Sequence, residues 1–236
     1  MDRKELIKSF FNSISEFIFP KTCVITDEIL TSSNSNPIVK DSILEGLQTI
    51  TVDEIVNFGK TLLANDFFCL YRYTRNSHIQ TLIHHMKYNG YYKIGTLLGN
   101  RLSEILLAKL PVLSSSCKII CPIPLHPTKL RDRGYNQTQY ITEAIATKLP
   151  IPLLPDLLKR IKNTKTQTQL NIQERKENMK DAFIVNPKYR NLIQNKRIML
   201  VDDIVTSGAT ANEATRVLRA AGARGIFLVA LCKTCD

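Results

Sequence analysis

Residues 198–210 of the chain read IMLVDDIVTSGAT, and this stretch decides which fold the sequence predicts. The four apolar residues 198–201 indicate a strand that is buried on both faces, and Asp202 and Asp203 follow them directly. In an open parallel sheet, ligands bind in the crevice beyond the carboxyl ends of the strands. The two aspartates are therefore candidate ligand-binding residues.

The segment after the aspartates has the composition of a phosphate-binding loop that leads into a helix. It combines three hydroxyl side chains with a glycine, in the order Thr206, Ser207, Gly208, Ala209 and Thr210. Glycine allows close approach of the backbone to an anion, and the amino end of a helix presents N–H groups to it. Carboxylates followed by such a loop suit a sugar phosphate. The alternative is that the aspartates only start a loop and that TSGAT only caps a helix.

The rest of the chain from about residue 71 alternates predicted helices with short apolar strands. Helices are predicted at 77–88, 93–110, 137–149 and 212–221, and strands at 118–121, 151–154, 182–185, 198–201 and 225–231. This order predicts an α/β fold in which a mostly parallel sheet is flanked by helices. Residues 1–70 carry no chemical motif, and apolar spacing over 43–62 predicts short helices there. We therefore expect a small N-terminal segment at 1–70 and a main domain at 71–236.

Charge is unevenly distributed along the 236 residues, whose formal net charge is +11. Residues 1–70 hold 6 basic and 10 acidic side chains, whereas residues 71–236 hold 26 basic and 11 acidic ones. A basic body favours an anionic partner: a phosphorylated metabolite, a nucleic acid or an acidic membrane surface. No run of 18 apolar residues is present, so no transmembrane segment is expected. The interrupted apolar stretch 10–19 argues against a signal peptide, and six cysteines do not form a secreted disulfide framework, which together favour the cytoplasm.

Four blocks of the chain, in this order, resemble the ComF (competence protein F) family of type I phosphoribosyltransferases. They are residues 82–90, residues 122–137, residues 164–183 and the stretch 198–210, which resembles the motif that binds phosphoribosyl pyrophosphate (PRPP). The most specific block is RDRGYNQ at 131–137. The resemblance covers about residues 70–235 and implies a type I phosphoribosyltransferase-like fold.

The resemblance implies a role for each block. Asp202 and Asp203 would bind the ribose hydroxyls, directly or through Mg²⁺, and residues 206–210 would bind the 5′-phosphate. The turn at 124–133 would hold the pyrophosphate through Leu125, His126, Lys129, Arg131 and Arg133. A basic loop that only faces solvent is the alternative for this turn. Structural roles are the alternative for His126, Asn136 and Gln137.

A long polar segment at 159–181 holds 7 basic and 3 acidic side chains. Segments of this length in a compact domain are often lids or binding loops. In the superfamily a loop at this place closes over PRPP and excludes water, and Arg175 and Asn178 match the family pattern. Arg175 is thus a candidate catalytic residue beside Asp202 and Asp203. A solvated basic segment is the alternative.

The chain departs from the family in its cysteines. ComF-like proteins commonly begin with a zinc module of two CxxC pairs, a closed-site pattern. Here Cys23 is followed by Val-Ile-Thr, and no cysteine occurs between 24 and 68, so we interpret the module as degenerate and do not expect zinc. An alternative zinc site would have to bring together Cys23, Cys69, Cys232 and Cys235.

Two classes of function compete for this chain. The first is PRPP binding. Within this class the sequence favours an enzyme in which an acceptor, not identified by the sequence, displaces pyrophosphate from C1 of ribose. The second is a non-catalytic competence factor that binds single-stranded DNA; a PRPP-sensing regulator is a third hypothesis. The family resemblance implies support of DNA uptake at the inner face of the cytoplasmic membrane. It also implies a competence helicase as partner, and a homodimer is a further hypothesis.

Overall fold

The computed structural model of the chain describes Glu5 and residues 20–31, 33–164 and 172–235. The chain divides into two compact units at Leu47 and Gln48. In the smaller unit, Thr22 and Ile29 form an antiparallel bridge, and the helix α1 (Asp41–Glu45) follows. Residues 48–70 group with the larger unit, so the division comes before the boundary that we predicted at residue 70. The apolar stretch at 10–19 lies outside the described residues.

The larger unit alternates strands and helices along the chain. Its elements are α2 (Val52–Gly59), β1 (Asp66–Tyr73), α3 (His78–Tyr88), α4 (Lys93–Lys109), α5 (Pro111–Ser116), β2 (Ile119–Pro122), α6 (Pro127–Arg133), α7 (Gln137–Lys148), β3 (Leu158–Arg160), α8 (Ile172–Met179), β4 (Phe183–Val185), a 3-10 turn (Pro187–Tyr189), β5 (Arg197–Val205), α9 (Ala209–Ala220) and β6 (Gly225–Thr234). Side chains cap the first turns of four of the described helices, namely Thr51 on α2, Ser77 on α3, His126 on α6 and Asn136 on α7. None of the described helices has the length and apolar content needed to span a bilayer.

Four strands form a parallel sheet in the order β1-β6-β5-β2. Ile198 on β5 pairs with Ile226 on β6 and with Ile119 on β2, while Cys69 on β1 pairs with Ala230. Because all four strands run the same way, their carboxyl ends lie along one edge of the sheet and their amino ends along the other. The predicted α/β fold with a parallel sheet flanked by helices is confirmed.

The sheet is buried on both faces. Leu200 and Leu228 belong to a core cluster that also contains Ala214 and Leu218 of α9. Successive strand residues point to opposite faces, so the equally buried Met199 and Val201 face the other side. There α7 contacts β2 and β5, and α4 packs along α7. The central strands β5 and β6 thus carry apolar residues almost without interruption, which explains why the sequence shows a continuous apolar run rather than alternation.

Several elements differ from the sequence-based prediction. The predicted strand at 182–185 forms β4, which pairs antiparallel with β3 outside the main sheet. The predicted strand at 151–154 contributes a single parallel bridge from Leu153 to Ile120. The edge strand β1 was not predicted; its strand partner β6 is distant in sequence, and Tyr71 of β1 also forms an antiparallel bridge with Thr49. Residues 127–133 of the predicted pyrophosphate turn form the helix α6, in which Pro127 occupies the first turn.

Gly99 allows α4 to lie against α7, and this contact generates a prediction. A Cβ at Gly99 would lie 2.8 Å from the carbonyl oxygen of Ile141 and 2.9 Å from Cβ of Ala144. We expect Gly99→Ala to lower the free energy of unfolding by about 1–3 kcal/mol in urea titrations, because overpacking outweighs the better helix propensity of alanine. Gly59→Ala is the matched control, since the nearest atom to its Cβ is 3.8 Å away. Equal stability of the two variants would contradict the close packing of α4 on α7.

Candidate functional site

The two aspartates lie inside β5, near its carboxyl end, rather than after it. Both are buried, with 9% of Asp202 and 5% of Asp203 exposed. The backbone N–H of Asp203 donates to Oδ1 of Asp202 at 2.9 Å, and the N–H of Ile204 donates to Oδ1 of Asp203 at 2.7 Å. Burial and the neighbouring charge of Asp203 raise the pKa of Asp202 well above its usual value. Two adjacent carboxylates in this position need cations nearby.

Lys87, at the end of α3, supplies one of those cations. Its Nζ lies 2.9 Å from Oδ2 of Asp203, and the same oxygen accepts a hydrogen bond from Nε2 of Gln137 at 2.7 Å. Burial alone would raise the pKa of Asp203, but Lys87 and Gln137 lower it below its usual value. Asp203 in turn raises the pKa of Lys87, although burial opposes the charge. Arg133 donates to Oε1 of Gln137 and extends the network to α6.

The segment between β5 and α9 forms a tight turn that requires glycine. Gly208 has φ +76° and caps α9, and a Cβ at this residue would lie 2.6 Å from Cδ2 of Leu62. Its neighbour Ser207 has a buried Oγ without a hydrogen-bond partner among the described residues. The turn brings this hydroxyl to the amino end of α9. The arrangement suits an anion, because helix amino ends favour negative charge.

A cavity of about 770 Å³ opens at this edge of the sheet. Its lining includes Asp202 but not Asp203, which is consistent with the engagement of Asp203 by Lys87 and Gln137. Three groups of residues line the cavity: the carboxyl end of β5 and the start of α9 (Asp202, Thr206, Gly208, Ala209, Thr210), one face of α3 (Gln80, Thr81, His84, Lys87, Tyr88), and Tyr73, Arg75 and Arg175. The cavity therefore combines a carboxylate, an anion-binding turn and several cations.

Comparison with known proteins finds similarity over the part of the chain that contains this site. A family model described as phosphoribosyl transferase domain matches residues 140–235. The chain is 36% identical over 114 residues to Competence protein F of Haemophilus influenzae, which covers 48% of this chain and 49% of that protein. It is 28% identical over 157 residues to the DNA utilization protein YhgH of Salmonella typhimurium, covering 66% and 67%. It is 31% identical over 111 residues to Competence protein ComFC of Streptococcus pneumoniae, covering 47% and 46%.

The chain is therefore similar to the competence proteins F and ComFC, and its residues 140–235 match the phosphoribosyl transferase domain. The match spans about half the length of Competence protein F and of ComFC, and about two thirds of YhgH. Competence and use of DNA are what the names of these relatives state about them. We assign these roles to the present chain only as a proposal.

The predicted pyrophosphate residues are not among those that line the cavity. Leu125 and His126 precede α6, and Nδ1 of His126 accepts a hydrogen bond from the N–H of Thr128 at 3.2 Å. This bond caps α6. Arg131 is exposed and Lys129 is half-buried. Burial and the charges of Arg160, Arg133 and Lys87 lower the pKa of Lys129, so these three cations lie near Lys129.

Asn136 and Gln137 hold this region together through hydrogen bonds, which is the structural role that the sequence left open as an alternative. Nδ2 of Asn136 donates to the carbonyl oxygen of Ile123 at 3.2 Å, and its Oδ1 accepts from the N–H of Thr138. Gln137 joins Arg133 to Asp203. The most specific block of the family thereby fixes the segment after β2 against the carboxyl end of β5.

The polar segment at 159–181 is bracketed by the hairpin of β3 and β4. Its residues 165–171 lie outside the described residues, and Arg175 on α8 lines the cavity. The end of the segment is tied to α9, because Oε1 of Glu213 accepts from the N–H of Asp181 at 2.8 Å and Arg216 pairs with Asp181. These bonds hold α8 near the site, where Arg175 can reach a ligand.

Two site residues, Lys87 and Arg160, were not assigned roles from the sequence. Both lie in elements that the sequence analysis considered, the family block at 82–90 and the segment at 159–181. Arg160 has a buried Nε without a partner among the described residues, and burial lowers its pKa while Asp202 raises it. A sequence pattern does not show that a lysine at the end of one helix reaches a distant strand. The helical spacing of the apolar residues Ile79, Leu82, Ile83 and Met86 was the available indication.

The four cysteines that an alternative zinc site would need lie in the described part of the chain. There, no three His, Cys, Asp or Glu side chains come together as a metal site. Cys69 and Cys232 are buried on β1 and β6, and burial raises the pKa of both thiols. Because β6 extends to Thr234, Cys232 and Cys235 are separated by about 10 Å of extended chain. This spacing differs from the turn in which a CxxC pair binds zinc.

The Lys87–Asp203 ion pair generates a prediction for stability. Removal of one partner from a buried pair costs about 3–5 kcal/mol, because the other charge stays buried. We expect Lys87→Met to lower the free energy of unfolding by about that amount in urea titrations at neutral pH. The variant Lys87→Met/Asp203→Asn should recover most of the loss. A double variant no more stable than the single one would show that the ion pair is not the cause.

Proposed function

We propose that the chain binds PRPP together with Mg²⁺ in the cavity at the carboxyl edge of the sheet. The observation that carries the proposal is the meeting of Asp202, the turn at 206–210 and a group of cations at one end of β5. Asp202 accepts hydrogen bonds from the ribose hydroxyls. The backbone N–H of Asp203 donates a hydrogen bond to Asp202. The turn with Ser207 and Gly208 holds the 5′-phosphate.

The cations near Asp202 suit the pyrophosphate of PRPP. Arg133, Arg160 and Lys87 lie close enough to Lys129 for their charges to act on it. Such a group is unfavourable by itself and becomes favourable when a polyanion binds between its members. Arg175 on α8 also lines the cavity.

The residues also fit Mg²⁺ that is bound jointly with PRPP. Mg²⁺ is usually held by one or two carboxylates together with substrate phosphates and waters. Asp202 presents one buried carboxylate to the cavity. When bound, Mg²⁺ neutralises charge on the pyrophosphate. Lys87 is held as an ammonium by Asp203 and therefore has no lone pair with which to attack C1 of the ribose.

We expect PRPP with Mg²⁺ to raise the melting temperature of the chain. At a hundred times its dissociation constant, a ligand adds about 2.7 kcal/mol of stability, equivalent to a shift of about 5–10 °C for this size. Differential scanning calorimetry should show this shift for the unmodified chain and not for Asp202→Asn. The matched control is Asp53→Asn on the exposed face of α2, which should keep the shift. A folded, unmodified chain without any shift would refute PRPP binding.

We further propose that the chain serves the use of DNA by the cell. This second proposal is supported by the printed names of its relatives, Competence protein F and DNA utilization protein YhgH, and by the basic charge of residues 71–236. A helicase partner, a homodimer and a position at the cytoplasmic membrane remain predictions.

Expression of the chain in Haemophilus influenzae lacking its Competence protein F tests the second proposal. We expect the unmodified chain to restore transformation and Asp202→Asn to fail, because the proposed role uses the PRPP site. Immunoblots establish equal expression. Failure of an expressed, folded chain to restore any transformation would contradict the proposal, and equal restoration by Asp202→Asn would separate DNA use from PRPP binding.

A further inference from the structure

A second cleft lies at the edge of the sheet opposite the PRPP site. It has a volume of about 510 Å³, and it is lined by residues at the starts of all four strands. Lys118 precedes β2, Lys196 and Arg197 start β5, Arg224 precedes β6, and Asn65 precedes β1. Arg197 and Asp202 are five positions apart on β5, which places this amino-edge cleft about 16 Å from the aspartates along the strand.

The amino-edge cleft is strongly basic. Four of its lining residues are cations, and none of its described lining residues is a carboxylate. The neighbouring Asp66 pairs with Arg197 and therefore offsets one of the four charges. Nε of Arg197 is buried and has no partner among the described residues. An excess of positive charge therefore faces the cleft.

The β-ladder fixes the backbone positions of these cations. The N–H of Lys118 donates to the carbonyl oxygen of Arg197 at 2.9 Å, and the N–H of Arg224 donates to that of Lys196 at 2.8 Å. Adjacent strands lie about 4.8 Å apart, so the backbone positions that carry the cations form a row across β2, β5 and β6, and all four side chains line the cleft. A row of this kind matches an extended ligand with regularly repeated negative charges better than a single small anion.

We propose that the amino-edge cleft binds the phosphodiester backbone of a nucleic acid. No aromatic side chain is found among its described lining residues, so the contacts are to phosphates and carry no sequence preference. The proposal deepens the proposed role in DNA use, on which it rests, and gives that role a surface distinct from the PRPP site. Both sites can be occupied together, because they lie at opposite edges of one rigid sheet.

Salt dependence of DNA binding tests the cleft. The variant Lys118→Gln/Lys196→Gln/Arg224→Gln removes three cations and leaves the Arg197–Asp66 pair in place. Each lost phosphate contact should reduce the slope of log K against log salt by about 0.7 for single strands, so we expect a reduction by about 2. The corresponding loss of affinity is at least about tenfold at 0.1 M salt. Fluorescence anisotropy with labelled oligothymidylate measures both, and a duplex of equal length distinguishes single-stranded from double-stranded DNA as the source of the backbone.

A matched control removes equal charge elsewhere. Lys93→Gln/Lys148→Gln/Arg190→Gln changes three exposed cations outside both sites and should retain the slope of the unmodified chain. Equal effects of the two triple variants would overturn the proposal in favour of general charge attraction. An effect of the cleft variant on anionic vesicles alone would also overturn it. PRPP binding by the cleft variant, measured by calorimetry, confirms its fold and separates failure of this proposal from failure of the PRPP site.

Discussion

The ion pair between Lys87 and Asp203 is the interaction on which the carboxyl edge of the sheet depends. Consecutive carboxylates inside a buried strand repel each other and lose hydration, which is why the pKa of Asp202 is raised. Lys87 from α3 and Gln137 from α7 satisfy Asp203, and this requirement positions both helices against β5. Asp202 is left facing the cavity, where a ligand or a metal can meet it. One carboxylate is thus structural and the other is available for binding.

The parallel direction of all four strands gives the sheet two chemically different edges. At the carboxyl edge, a carboxylate, a glycine turn and surrounding cations suit a sugar diphosphate. At the amino edge, the residues at the starts of β2, β5 and β6 supply four cations, and no aromatic residue is found among the described lining residues. The separation of the two sites follows from topology alone, because the amino ends of parallel strands lie along one edge of the sheet and their carboxyl ends along the other. A molecule that handles a nucleotide-like ligand and a nucleic acid at once can use both edges independently.

The sequence predicted the fold class and the central motif because both are local. A continuous apolar run followed by DD and TSGAT can be recognised without knowledge of tertiary contacts. Both β5 and α9 lie where the sequence predicts them, although α9 begins three residues earlier than predicted. The strand β1 escaped prediction because its pairing with β6 joins residues more than 150 positions apart. The contact of Lys87 with Asp203 was not predicted for the same reason, because the sequence of α3 does not indicate which strand its last turn contacts. The helix α6 was not predicted because it begins with Pro127, and proline is common both in turns and in the first turn of a helix.

The most direct test of the account is a crystal structure of the chain with PRPP and Mg²⁺. The account predicts the 5′-phosphate on the turn at 206–210, the ribose hydroxyls on Asp202, and an unbroken contact between Lys87 and Asp203. The pyrophosphate should lie among Lys129, Arg133 and Arg160. PRPP bound away from Asp202, or a ligand that displaces Lys87 from Asp203, would contradict it.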